Sequence, residues 1–146
     1  MNDTRRTTLK AYGALFETLS LEELDRLDAL TSENFVFRDP FHEVCGREAM
    51  KRVLASMFTL FEAPRFAVGD LALGKDHGFL AWHFTSCDNK EGATAFDGTS
   101  TVTFDRDARI AVHQDYWDAA SVVHARLPLI GPAVRFINRS IARKTG

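Results

Sequence analysis

Apolar residues recur at helical spacing near the start of the chain. Leu9, Tyr12, Ala14, Leu15, Phe16 and Leu19 form one stripe, which predicts a helix over Thr4–Thr18. Ser20-Leu21-Glu22-Glu23 has the form of a capping box, and Leu24, Leu27 and Leu30 continue a second helix behind it. Phe35-Val36-Phe37-Arg38-Asp39 then reads as a short strand, stopped by Pro40, which has no N–H for a ladder. Gly46 opens a third helix, Arg47–Phe61, with Met50, Val53, Leu54, Met57, Phe58 and Phe61 on one broad face and Pro64 beyond its end.

From Arg65 the pattern alternates. Arg65–Leu73 and Phe79–Cys87 flank a turn at Gly74–Gly78, Asp88–Gly92 is the next turn, and Thr94–Phe104 the next strand. A polar turn at Asp105–Ala108 leads into a last strand, on which the two-residue period puts His113, Asp115 and Trp117 on one face. Three helices followed by long antiparallel strands argue for an α+β domain with helices on one side of the sheet. The tail, Leu127–Lys144, returns to helical spacing over Pro132–Arg143. Val134, Ile137 and Ile141 share a face, Phe136 lies near its edge, and Arg135, Arg139, Arg143 and Lys144 form a basic stripe. The expected division is a domain over residues 1–126 and a helical extension over 127–146. That helix is expected to pack on its own domain or a second copy. A lid and an interfacial membrane helix are the alternatives, but the cations are too few for membrane contact to be expected.

Composition narrows the class. At 146 residues the chain holds one sizeable core, and 12 Phe suggest a thick core or an apolar cavity lined by rings. A net charge of −2 gives no field for nucleic acid. Cys45 and Cys87 lack metal-ligand spacing and read as reduced thiols. No signal region and no membrane span stand out, so a cytoplasmic location is expected.

The order helix, helix, strand ending in Asp-Pro, helix, meander resembles the nuclear transport factor 2-like superfamily, in its SnoaL-like and ketosteroid isomerase-like branches. The residues that carry the resemblance are FVFRDPFHEVCGREAM, FDRDARI and HQDYWDAA, the last being similar to the final strand of limonene epoxide hydrolases. The resemblance implies a strongly curved, mixed or antiparallel sheet wrapped around helices. Such a cone-shaped, cystatin-like fold has an apolar pocket and forms a homodimer.

The same resemblance nominates site residues. Asp39 matches the isomerases' general base, where flanking Phe37 and Phe41 would desolvate it and raise its pKa; otherwise Asp39-Pro40 is turn chemistry. Tyr12 lies near the oxyanion-hole tyrosine, or is simply core. Ser100 stands where the isomerase pattern carries a protonated Asp. Asp115 matches one aspartate of the epoxide hydrolases, whose Arg-x-Asp pair falls on His83-x-Thr85. An alternative for Asp115 is a buried acid satisfied by the hairpin or by Arg109. His83 and Asp115 would form an imidazole–carboxylate pair, unless His83 is an ordinary strand histidine. With Ala81, His83 and Thr85 facing the pocket, Leu80, Trp82 and Phe84 face outward and call for cover by a second copy, giving a homodimer. Phe37, Phe58, Val102, His113 and Trp117 would line the cavity with Ser100.

These readings converge on a cofactor-independent acid/base enzyme of isomerase, cyclase or hydrolase type. Its substrate would be a small apolar molecule such as a steroid, terpenoid or polyketide. Neither a cofactor nor a metal is expected, the histidines and acids being scattered over separate strands. The alternative is a non-catalytic ligand-binding or dimeric assembly domain.

Overall fold

A computed structural model describes residues 1–87 and 93–145; the expected turn at Asp88–Gly92 lies outside the described residues. The chain divides into two compact units, Met1–Tyr116 and Trp117–Gly146.

The first unit begins with helix α1 (Asn2–Glu17), which buries Leu9, Tyr12, Leu15 and Phe16 along the expected stripe. Ser20 does precede a helix, but Leu21–Arg26 is a 3-10 turn running into a one-turn α2 (Leu27–Leu30). Strand β1 (Thr31–Arg38) starts four residues earlier than its apolar core suggests, and a three-residue β2 (Glu43–Cys45) pairs with it antiparallel. Gly46, at φ +92, turns the chain into α3 (Arg47–Leu60), a conformation open to glycine because it has no Cβ. Then come β3 (Arg65–Leu73), β4 (Gly78–Ser86), β5 (Thr94–Phe104) and β6 (Ile110–Trp117).

The six strands form one open sheet in the order β2-β1-β6-β5-β4-β3. β3, β4 and β5 make the expected antiparallel meander, while β6 runs parallel to β1. α1 packs on β3 and α3 on β1, so both cover the same inner face.

The inner face is not the one expected on β4. Leu80, Trp82, Phe84 and Ser86 are buried, whereas Phe79, Ala81 and His83 point outward. Three large apolar side chains are covered by the chain's own helices and need no second copy to bury them. The expected homodimer surface of Leu80, Trp82 and Phe84 is therefore inside the molecule. An interface on the outer face would have to use Phe79, Ala81, His83 and Thr85. The register shows the inconsistency of the sequence reading: Leu80 pairs with Ser100 and His83 with Asp97, so an inward Ser100 forces His83 outward.

Lys51 ties α3 to the segment before β1. Its buried ammonium donates to Asp25 Oδ1 at 2.8 Å, Asp28 Oδ2 at 3.0 Å and Glu48 Oε1 at 3.1 Å. These carboxylates, Asp25 foremost, hold its pKa well above the ordinary lysine value of 10.5 against the opposing effect of burial. Replacing Lys51 with Met should cost about 1–3 kcal/mol in urea unfolding at neutral pH. A raised pKa stabilises the fold while lysine is charged in both states. The wild-type advantage should thus be full at neutral pH and shrink as pH rises beyond 10.5. A difference that grew with alkaline pH would contradict this role.

The second unit contains α4 (Ala119–Val122), a 3-10 turn at His124–Arg126, and α5 (Gly131–Thr145). Asp118 caps α4, its Oδ1 accepting from Ser121 N at 3.0 Å, and Ser121 holds that carboxyl below the ordinary value. Among the described residues no helix is long and apolar enough to cross a membrane.

Candidate active site

β6 lies in the interior of the sheet, between β1 and β5, and its alternation turns His113 and Asp115 to the inner face. His113 pairs in register with Phe37 of β1, whose ring lies 5.2 Å from the imidazole. From the helix side, Tyr12 and Phe16 close over it at 5.6 and 5.8 Å. His113 is 2 % exposed. An imidazole so enclosed needs partners for both nitrogens.

It has them. Tyr12 Oη lies 2.8 Å from His113 Nδ1, and His113 Nε2 lies 2.6 Å from Asp115 Oδ1. The same carboxylate oxygen accepts from Ser100 Oγ at 2.5 Å, and Ser100 in turn accepts from Trp82 Nε1 at 2.8 Å. The Tyr12 phenol is pushed well above its ordinary 10.0, first by complete burial and then by the Asp115 charge. It therefore keeps its proton and donates to Nδ1, which fixes the imidazole proton on Nε2, aimed at Asp115. Every donor in the chain thus points towards one carboxylate. The second oxygen of Asp115 takes no hydrogen bond from any described residue.

Trp82 reaches Ser100 because its cross-strand partner is Gly98. A Cβ at Gly98 would lie 2.2 Å from the indole Cη2 and Cζ2, so the ring lies flat across β5 where any side chain would stand.

One hollow borders this network, and a second shares Phe16 and Phe66 with it. An inner cavity of about 30 Å³, room for one water molecule, is lined by Asp115, His113, Ser100, Trp82, Phe16 and Phe66 among others. An outer cavity of about 330 Å³ is lined by Glu17, Met57, Phe58, Pro64 and Arg65, again with Phe16 and Phe66. The two phenyl rings meet edge to face at 5.8 Å and stand in the walls of both hollows.

The expected site residues divide accordingly. Tyr12, Ser100, His113 and Asp115 come together, with Phe37 packed on His113. Phe58 lines the outer cavity, and Val102 is fully buried in β5. Trp117 ends β6 as the first residue of the second unit.

Asp39 is placed elsewhere: it ends the β1 region in a turn, its Oδ1 accepting from Phe41 N at 2.7 Å and His42 N at 2.6 Å, with His42 Nδ1 3.0 Å away. Phe41, expected to desolvate it, is 50 % exposed. Local turn chemistry accounts for Asp39, and neither hollow is lined by it. His83 is also elsewhere, paired on the outer face with Asp97 Oδ1 at 2.7 Å. The partner of Asp115 is His113, not His83. Arg109 does not satisfy Asp115 either; its amide binds Asp105 in the β5–β6 turn. Among the described residues no three His, Cys, Asp or Glu side chains are grouped to hold a metal ion.

An open mixed sheet with helices on one face and a polar chain buried beneath them defines an α+β domain of the nuclear transport factor 2-like class. More narrowly, the chain belongs to the SnoaL-like domain family, whose model matches residues 12–113. Searched against curated proteins, the sequence finds no significant match. Solved structures agree on the fold. An NTF2-like protein of unknown function from Exiguobacterium sp. 255-15 is 21 % identical, with 76 % of this chain and 98 % of that one aligned at a TM-score of 0.66. A hypothetical protein with a ketosteroid isomerase-like fold from Catenulispora acidiphila, solved with trimethylamine, is 16 % identical over 80 % and 88 % of the two chains at 0.67. The epoxide hydrolase/cyclase-like enzyme SalBIII, of pyran ring formation in salinomycin, is 16 % identical over 80 % and 92 % at 0.65.

Proposed function

We propose that the protein is an acid/base enzyme of isomerase or cyclase type acting on a small, largely apolar molecule. Asp115 is its proton-transfer group. The observation that supports this most directly is the convergence of donors from His113 and Ser100 on one oxygen of a carboxylate that lines an apolar cavity and whose other oxygen is unengaged among the described residues. The donors stabilise the charge in a place otherwise unfavourable to it, and the unengaged oxygen is available to a substrate proton. In the reaction Asp115 would take a proton from a carbon next to a carbonyl, or from a hydroxyl about to attack. It would return that proton to a different atom of the same molecule. Tyr12 holds the imidazole tautomer and His113 Nε2–H holds the carboxylate; both are positioning residues.

The inner cavity admits one water, so a substrate must displace Phe16 and Phe66 to reach Asp115 from the outer cavity. The rings of Phe16, Phe58 and Phe66, with Glu17 and Arg65 at the outer cavity, suit a largely apolar skeleton that carries oxygen functions, as a steroid-, terpenoid- or polyketide-like molecule does. The SnoaL-like family and the cyclase-like neighbour SalBIII support this reaction type.

A second reading, non-catalytic ligand binding, draws on the same small cavity, which side chains largely fill. The two are separated by incubating the protein with a panel of enones, epoxides and polyketide-like β-ketones. Product is followed by mass spectrometry and binding by quenching of tryptophan fluorescence, Trp82 being in the cavity wall. Turnover of at least one panel member supports the enzyme. Saturable quenching without any product supports the carrier.

A further inference from the structure

The second unit has a charge and surface unlike the rest of the chain. All 20 acidic residues lie at or before Asp118, while five of the 18 Lys and Arg follow it: Arg126, Arg135, Arg139, Arg143 and Lys144. α5 buries only Gly131. Ile130, Val134, Ile137 and Ile141 recur at helical spacing along one side, and Ile137 and Ile141 remain 54 % and 56 % exposed. Arg135, Arg139 and Arg143 follow one another at four-residue intervals on the other side, with Lys144 beside the apolar stripe. Two further apolar groups are exposed off the stripe: Leu129, just before the helix, at 91 %, and Phe136, among the arginines, at 71 %.

Cation count alone argues against membrane contact, but the exposed apolar stripe adds a second contribution, and we propose that α5 is an interfacial helix that lies on an anionic lipid surface. The amphipathic face and the cations suit the boundary between headgroups and acyl chains, and the helix is too short and too charged to span. A lipid boundary accepts the isoleucine stripe together with Leu129 just before the helix, while the guanidinium groups on the polar side remain with the headgroup phosphates. The absence of acids from α5 specifies the sign of the surface. The first unit, which holds nearly all the acids, adds no attraction to such a surface, so the attraction comes from the cations that follow Asp118. This inference is independent of the proposed chemistry at Asp115.

The test is flotation of the full chain with vesicles of phosphatidylcholine alone and of phosphatidylcholine mixed with phosphatidylglycerol. Binding to the anionic vesicles should exceed binding to the neutral ones by about tenfold or more and should fall as salt is added. Two variants probe the two halves of the argument, I137D/I141D for the apolar side and R139E/R143E for the cations. Each should abolish flotation while leaving the thermal unfolding of the first unit unchanged. Equal binding to both vesicle types, no binding to either, or undiminished flotation of both variants would overturn the proposal. So would variants that change the solution mass of the protein but not its vesicle binding, since that result assigns the helix to a protein contact.

Discussion

Replacing Asp115 with Asn should lower turnover by about 10²- to 10⁴-fold while leaving the protein folded. The amide is nearly the same shape as the carboxylate. With its oxygen on the side of His113 Nε2 and Ser100 Oγ it still accepts from both, so neither donor is left unsatisfied. What it lacks is the negative charge and the ability to accept a proton at the unengaged position. The measurement is initial rate on whichever panel substrate the wild type converts, alongside thermal unfolding. A large rate loss with a nearly unchanged midpoint places the proton transfer at Asp115. Turnover retained within a few-fold would show that the buried chain is structural and that the chemistry lies elsewhere.

A second large effect, on stability and turnover together, comes from a residue with no functional groups. Gly98→Ala places a Cβ 2.2 Å from the Trp82 indole, too close for adjustment within a well-packed inner face. Trp82 has to leave its position over β5, taking its Nε1 from Ser100. We expect a loss of about 1–3 kcal/mol by urea denaturation, from overpacking together with the broken hydrogen bond. A changed tryptophan emission in the folded state should accompany it. Turnover should fall as well, because Ser100 then loses the donor that orients its hydroxyl towards Asp115. Unchanged stability would mean that the ring has a second low-energy position.

Much of this arrangement was legible in the sequence, and the parts that were not failed for identifiable physical reasons. The β3 and β5 limits follow directly from alternation, as does the inward facing of His113 and Asp115. β2 has three residues and no apolar alternation, so nothing in its pattern marks it as a strand. On β4 the matched catalytic positions imply the opposite parity. The simpler rule, that Leu80, Trp82 and Phe84 outweigh Ala81, His83 and Thr85 in apolar area, gives the facing observed. Asp39 carried two readings, and its neighbouring amides at Phe41 and His42 decided between them. The Tyr12–His113 bond joins residues 101 positions apart, so no local pattern reports it. The signal that was present is the coincidence of a tyrosine in an apolar helical stripe with a histidine on an otherwise apolar strand face. Each needs a buried partner, and each is the other's. Gly98 was overlooked because a strand glycine marks close approach without naming what approaches.

The strand order has a temporal consequence. β1 and β2, a hairpin in the finished sheet, are synthesised early, and β3, β4 and β5 of the meander follow, yet these two pieces do not adjoin. β6, synthesised after all the others, is the strand that separates and joins them. Until it is inserted, Tyr12 has no imidazole to meet and Ser100 has no carboxylate. The closing contacts are of long sequence separation and pay their loop entropy late. Asp115 therefore arrives on the keystone of the sheet, and the His113 and Ser100 contacts that hold its carboxylate exist only once the fold is closed.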